Sequence, residues 1–142
     1  MTDLVRTVSL DDLANVLQLK GFRAQPAEWP GGREALLSAA GGVTFNIVTG
    51  NGSPGAYGDF TFFAGFRLEG LPIADICAKW NMERRFARAH GRDGMLNLEM
   101  DVLLGTGVGR DYVAAMADVW NQLLNELLIT LRAEAAKTGA EA

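Results

Sequence analysis

Residues 76–101 read ICAKWNMERRFARAHGRDGMLNLEMD, and within this stretch one hydrophobic period gives way to another. Just before it, Pro72 suits the first turn of a helix, where its missing N–H costs nothing. Ile73, Ile76, Cys77 and Trp80 then recur at helical spacing, which predicts a helix from Pro72 to about Met82 with these four on its buried face. Beyond it the pattern alternates residue by residue. Arg84 to His90 and Met95 to Leu103 read as two strands around a Gly91-Arg92-Asp93-Gly94 turn, an antiparallel hairpin. A helix feeding straight into a hairpin is incompatible with the strand–helix alternation of a doubly wound sheet, so the stretch points to an antiparallel sheet with helices packed on it.

The flanking sequence agrees. Ser9 to Lys20 is a helix with Ser9 as its cap, Asp12 at the capping-box position, and Leu10, Leu13, Val16 and Leu17 in a stripe. Gly21 is placed to end it in a left-handed turn, with Phe22 as the following contact. Phe22 to Gly50 reads as short strands interrupted by Pro26, Pro30 and Gly31-Gly32. Within it, Glu34–Ala40 and Val43–Thr49 flank a Gly41-Gly42 hairpin turn. Asn51 to Gly58 has the composition of a flexible loop. Asp59 to Leu68 is a strand that sets Phe60, Phe62 and Phe66 on one face and Phe63 on the other. After Gly105-Thr-Gly-Val-Gly109, a long helix runs from about Arg110 to the region of Lys137, and residues 138–142 are expected to fray. The expected fold is a single α+β domain over residues 1–142, with an antiparallel sheet and the order α-β-β-β-α-β-β-α.

Composition narrows the function. At 142 residues, 49% apolar and 21% charged, the chain is an ordinary globular mixture that supports one core. A net charge of −4 and a pI near 4.9 disfavour a nucleic-acid partner, which demands clustered Lys and Arg. Cys77 stands alone and cannot form an internal disulfide. The opening MTDLVRTVSLDDL lacks the apolar run of a signal peptide, and no uncharged apolar stretch reaches membrane-spanning length, so a cytoplasmic protein without a membrane partner is expected.

Candidate chemistry is sparse. Gly105–Gly109 lies between strand and helix, but no Lys-Ser/Thr follows it, and a plain connector fits better than a phosphate loop. Glu99 and Asp101 share a strand face. If His90 pairs with Met95, their neighbours are Arg84, Phe86 and Arg88, and cross-strand ion pairs account for both carboxylates without catalysis or a metal. His90 and Cys77 are the only residues of their kinds and build no triad, HExxH or CxxC motif. The inventory nominates no nucleophile, base, metal or cofactor. Core packing is the expected fate of Phe60, Phe62, Phe63 and Phe66, but Phe63 alone of these four faces the other side of its strand, where an aromatic could anchor a partner.

Trp80-Asn81, then Glu83-Arg84-Arg85-Phe86, then a strand ending Leu98-Glu99-Met100-Asp101, resembles the YbjN family of bacterial proteins. There a helix ending in W-N runs directly into an R-F strand that pairs with a second strand carrying an acidic end. Gly107-Val108, the closing helix from Tyr112 to Leu131 and the Gly21-Phe22 helix end also fit. The resemblance implies a fold similar to type III secretion chaperones, which are small, acidic and usually dimeric and bind extended segments of client proteins. It also implies a sensory-transduction regulator, and it brings no catalytic residues. The signature residues Trp80, Asn81, Arg84, Arg85, Phe86, Glu99 and Asp101 read as structural. Trp80 plugs the helix onto the sheet, Asn81 tolerates the left-handed conformation that ends it, and Arg84 and Arg85 point to opposite faces of the strand.

The leading expectation is therefore a non-enzymatic protein-binding domain, chaperone-like or regulatory, that forms a homodimer. A small-ligand-binding sensory domain is the alternative, and an enzyme with a Glu99/Asp101 site the weaker one.

Overall fold

A computed structural model describes residues 3–141. Helix α1 (Leu10–Leu19) leads into strands β1 (Gln25–Trp29), β2 (Arg33–Ala40) and β3 (Val43–Thr49). A minute hairpin, β4 (Gly52–Ser53) with β5 (Ala56–Tyr57), precedes β6 (Asp59–Arg67), α2 (Ile73–Glu83), β7 (Arg88–Arg92), β8 (Met95–Leu103) and α3 (Tyr112–Glu141). Six strands form one sheet in the order β1-β2-β3-β6-β8-β7, and every ladder in it is antiparallel.

The local chemistry explains the ends of α1. Ser9 Oγ accepts from the Asp12 N–H at 3.0 Å while Asp12 accepts from the Ser9 N–H at 2.8 Å, a complete capping box. At the other end Gly21 adopts φ +84°, its N–H donates to Gln18, and the Phe22 N–H donates to Leu17. Those two bonds define a Schellman motif and satisfy carbonyls the helix leaves open.

The sheet is one-sided. Leu36, Phe45, Ile47, Phe60, Phe62, Leu98 and Met100 all point to one face, where they join Leu13 and Leu17 of α1, Ile76, Cys77 and Trp80 of α2, and the stripe of α3 in a single core. Trp120 of α3 stacks on Phe62 at 5.4 Å and meets Phe45 edge-on at 5.9 Å, which pins the longest helix over the middle of the sheet. Phe66 packs against the same core, whereas Phe63 points to the opposite face, as the alternation predicts.

Four expectations need correction. The second hairpin is shorter and differently paired: β7 begins only at Arg88, its turn is the two residues Asp93-Gly94 at φ +52° and +78°, and Arg92 rather than His90 faces Met95. A two-residue turn with both φ positive matches the twist of the strands it joins, and it sets that register. Second, residues 51–58 are no free loop. Tyr57 is buried and exchanges both backbone hydrogen bonds with Val8, and its hydroxyl donates to Glu34. Third, four sheet strands rather than three precede α2, with β1 on the outer edge where Pro26 is tolerated. Fourth, α3 continues as helix through Thr138 to Glu141, where fraying was expected; Ala142 lies outside the described residues.

Gly105–Gly109 serves as a connector. Val5 exchanges two backbone hydrogen bonds with Val108, at 2.8 and 2.9 Å, so the N-terminal segment lies across it. Gly107 takes φ +136°, and a Cβ there would sit 2.9 Å from Leu4 Cβ, so its glycine serves close approach.

Candidate functional site

Two constellations stand out, one across the open face of the sheet and one at its β7 edge. The first lies on the face that carries no helix. Cross-strand register brings Ala27, Ala35, Val48, Thr61 and Asp101 into one row, and Leu37, Asn46, Phe63, Glu99 and Arg88 into the next. Near the β1 edge Trp29 meets Phe63 edge-to-face at 5.1 Å between ring centroids. Both rings are half-buried, while Ala35 and Val48 on this face are buried outside the main core. With Arg33 and the carboxylates, these rings line a shallow depression of about 270 Å³.

At the far side of that depression Arg88 forks between two carboxylates. Its Nη2 donates to Glu99 at 2.8 Å and its Nη1 to Asp101 at 2.7 Å. Thr61 Oγ1 donates to the other oxygen of Asp101 at 2.6 Å, and His90 Nε2 lies 3.3 Å from Glu99. Burial pushes the Asp101 carboxyl up, but the hydrogen bonds from Thr61 and Arg88 and the guanidinium charge outweigh it and hold the group below the usual carboxylate range. Arg88 in turn is raised above the usual guanidinium value, first by its bond to Asp101 and against some desolvation. Both carboxylates are thus engaged as acceptors of the Arg88 guanidinium. This is the cross-strand arrangement expected of Glu99 and Asp101, except that Arg88 alone supplies the guanidinium.

The other residues of the R-R-F run go elsewhere. Arg84 and Phe86 do not face the carboxylates, and neither Arg84, Arg85 nor Phe86 belongs to a strand. Arg84 caps α2 in extended conformation, sets its guanidinium 5.3 Å over the Trp80 ring and its Nε 3.4 Å from Glu126 of α3.

The second constellation is the W-N pair itself. Trp80 is 3% exposed and donates its indole N–H to the Ala87 carbonyl at 3.1 Å. Asn81 donates to the Ala89 carbonyl at 2.9 Å and accepts from the Ala89 N–H at 2.8 Å. Three hydrogen bonds from two adjacent helical residues therefore staple α2 along the outer edge of β7. Such an amide-to-backbone pair substitutes for a missing strand and closes an edge that would otherwise invite pairing. Asn81 is inside the helix, not at a left-handed end; the left-handed residue is Phe86.

Trp29 and Arg33 are site residues that the sequence reading did not single out. The alternation Gln25, Ala27, Trp29 ahead of the Pro30-Gly31-Gly32 turn marks a strand face, and the register through β2 and β3 is what puts that face on the side of Phe63. A further cleft of about 750 Å³ separates the N-terminal segment and α1 from the start of α3, lined by Arg6, Asp12, Asn15 and Arg110 among others. No group of three or more potential metal ligands occurs among the described residues, and no helix among them is long and apolar enough to cross a membrane.

A one-sided antiparallel sheet with three helices and an edge stapled by a W-N pair defines a small α+β class. The chain belongs to the YbjN family, whose model, described as "Putative bacterial sensory transduction regulator", matches residues 9–132. No curated protein and no solved structure matches the chain.

Proposed function

We propose that the protein is a non-enzymatic regulatory binding protein of the bacterial cytoplasm that takes a segment of a partner protein across the helix-free face of its sheet, in the manner of the type III secretion chaperones. The observation that carries this reading is the Trp29–Phe63 pair, two aromatic rings left half-buried on a face that no helix covers. Aromatic anchors set among polar groups are the usual hot spots of protein interfaces. The Arg88 fork supports the same reading over the enzymatic one. A carboxylate already bonded to a guanidinium and a hydroxyl is a poor base, and a metal would first have to displace Arg88.

The family description supports a regulatory role for the binding event. We also infer a two-fold homodimer. Ile129 of α3 is exposed, and β1 lies at the sheet edge, so the chain offers an apolar helical side chain and an edge for pairing.

Affinity capture from the native lysate tests the reading. A protein should be retained by the wild type and reduced at least about 30-fold in affinity by Trp29→Ala with Phe63→Ala, the loss of about 2 kcal/mol that a hot spot implies. Retention of a small molecule instead, lost on changing Arg6 or Arg110, would transfer the function to the cleft beside α1.

A further inference from the structure

Phe86 is the one aromatic residue of the family signature that stays outside the core. Its φ is +76°, and the Ala87 N–H donates to the Arg85 carbonyl at 2.9 Å. Those features close a three-residue γ-turn around Phe86, a rare and strained conformation for any residue with a side chain. The residue is 65% exposed, so burial does not hold it there. What holds it is the staple on either side: Arg84 N–H to the Trp80 carbonyl before the turn, and Trp80 Nε1 to the Ala87 carbonyl after it.

An exposed phenylalanine by itself needs no explanation. An exposed phenylalanine in a backbone position that glycine would occupy without strain does, because neither packing nor local conformation favours it. The neighbouring cations reinforce the point. Arg84 is paired with Glu126 and stacked on Trp80, whereas Arg85 has no carboxylate partner among the described residues and lies 4.9 Å over the Phe86 ring. Met82, on the last turn of α2, is also exposed.

We propose that the 85–87 turn is a docking knob for an acidic segment of a partner protein: Phe86 enters an apolar contact on that segment while the Arg85 guanidinium, oriented by the ring beneath it, takes a carboxylate. Guanidinium binds carboxylate through two parallel hydrogen bonds, and stacking on an aromatic leaves its edge free for that purpose. The knob lies at the β7 side of the sheet and Trp29 at the β1 side, so the two surfaces are separable and this inference stands independently of the sheet-face reading.

The test uses the full chain and a set of fluorescein-labelled decapeptides carrying two Glu beside one Leu or Trp, with Gln-for-Glu versions as controls, read by anisotropy. Wild type should bind members of the acidic set and bind the Gln controls at least tenfold more weakly. Phe86→Gly should lose at least tenfold in affinity while its melting temperature stays level or rises, since the strain goes and little burial is lost. Arg85→Gln should lose affinity for the acidic set alone, and Trp29→Ala should leave it unchanged. The proposal is overturned if no acidic peptide binds wild type, if Phe86→Gly binds as tightly as wild type, or if Phe86→Gly lowers the melting temperature and thereby shows a structural role.

Discussion

Trp80 and Asn81 show how two side chains carry a tertiary join. The indole of Trp80 fills the core and still reaches the Ala87 carbonyl, so truncation leaves both a cavity and an unpaired buried acceptor. Trp80→Ala should therefore cost about 3–5 kcal/mol, and a thermal melt within a degree or two of wild type would contradict its placement. Asn81→Ala removes both bonds to Ala89 but little apolar packing, and should cost about 1–3 kcal/mol. Amide exchange at Ala89 should accelerate in that variant while that of Leu124, on the buried face of α3, remains protected. The importance of W-N was legible in the residues, and so was the burial of Trp80. The role of Asn81 was not, because a mid-helix asparagine reaching across to a strand backbone has no local spacing signal. Phe86 misled for a related reason. The run E-R-R-F-A-R-A-H alternates like a strand, and the bonds of Arg84 and Ala87 to Trp80, on either side of Phe86, hold it in a turn.

The second hairpin carries the same lesson at the scale of elements. A strand pair in this region was readable from the alternation, but the register was displaced by two residues because Gly91 to Gly94 looked like one four-residue turn. Asp93-Gly94 by itself is the stronger hairpin signal. A slip of two preserves which face each side chain takes, so Arg88 and the two carboxylates still met, while Arg84 and Phe86 were drawn into a face they do not share. Gly91 has its own function in the join: a Cβ there would stand 2.7 Å from Ile73 Cγ2 of α2. Gly91→Ala should push the helix away from β7 and cost about 1–3 kcal/mol, measurable by urea denaturation. A neutral substitution would mean that α2 rides more loosely than its hydrogen bonds indicate.

The Arg88 fork makes a pH-dependent contribution of definite sign. The Asp101 carboxyl is lowered on folding, so its stabilisation is fully present above its unfolded pKa and is lost as pH falls through the folded value. That window opens at about pH 4 and extends downward. Because the Asp101 side chain is more than half exposed, Asp101→Asn should change stability by less than about 1 kcal/mol at neutral pH. Its deficit relative to wild type should shrink towards pH 3 in urea melts. A deficit that stays constant from pH 7 to pH 3 would remove the carboxylate from the account. Glu99→Gln should likewise stay within about 1 kcal/mol at neutral pH.

For the whole molecule, the α+β class, the antiparallel sheet, three helices and membership in the YbjN family all followed from sequence patterning and one signature. The N-terminal strap across Gly105–Gly109 and the tethering of residues 51–58 did not, since both depend on single backbone bridges between distant segments. The Trp29–Phe63 contact has no local signal, because the two residues lie three strands apart in the sheet. The inferred dimer is open to light scattering at micromolar concentration, where a mass near twice 15.3 kDa is expected. A mass of one chain that stays constant on tenfold concentration would leave Ile129 and the β1 edge for a client.

The central claim is that the helix-free face is the working face, and chemical-shift mapping of the isotope-labelled chain with its captured partner tests it most directly. The indole N–H resonances distinguish Trp29 on that face from Trp120 in the core beneath the helices. Binding should move the Trp29 indole together with the Val48, Thr61 and Phe63 amides and leave the Trp120 indole in place. Shifts confined to α1, the N-terminal segment and Arg110, with Trp29 unmoved, would contradict the account.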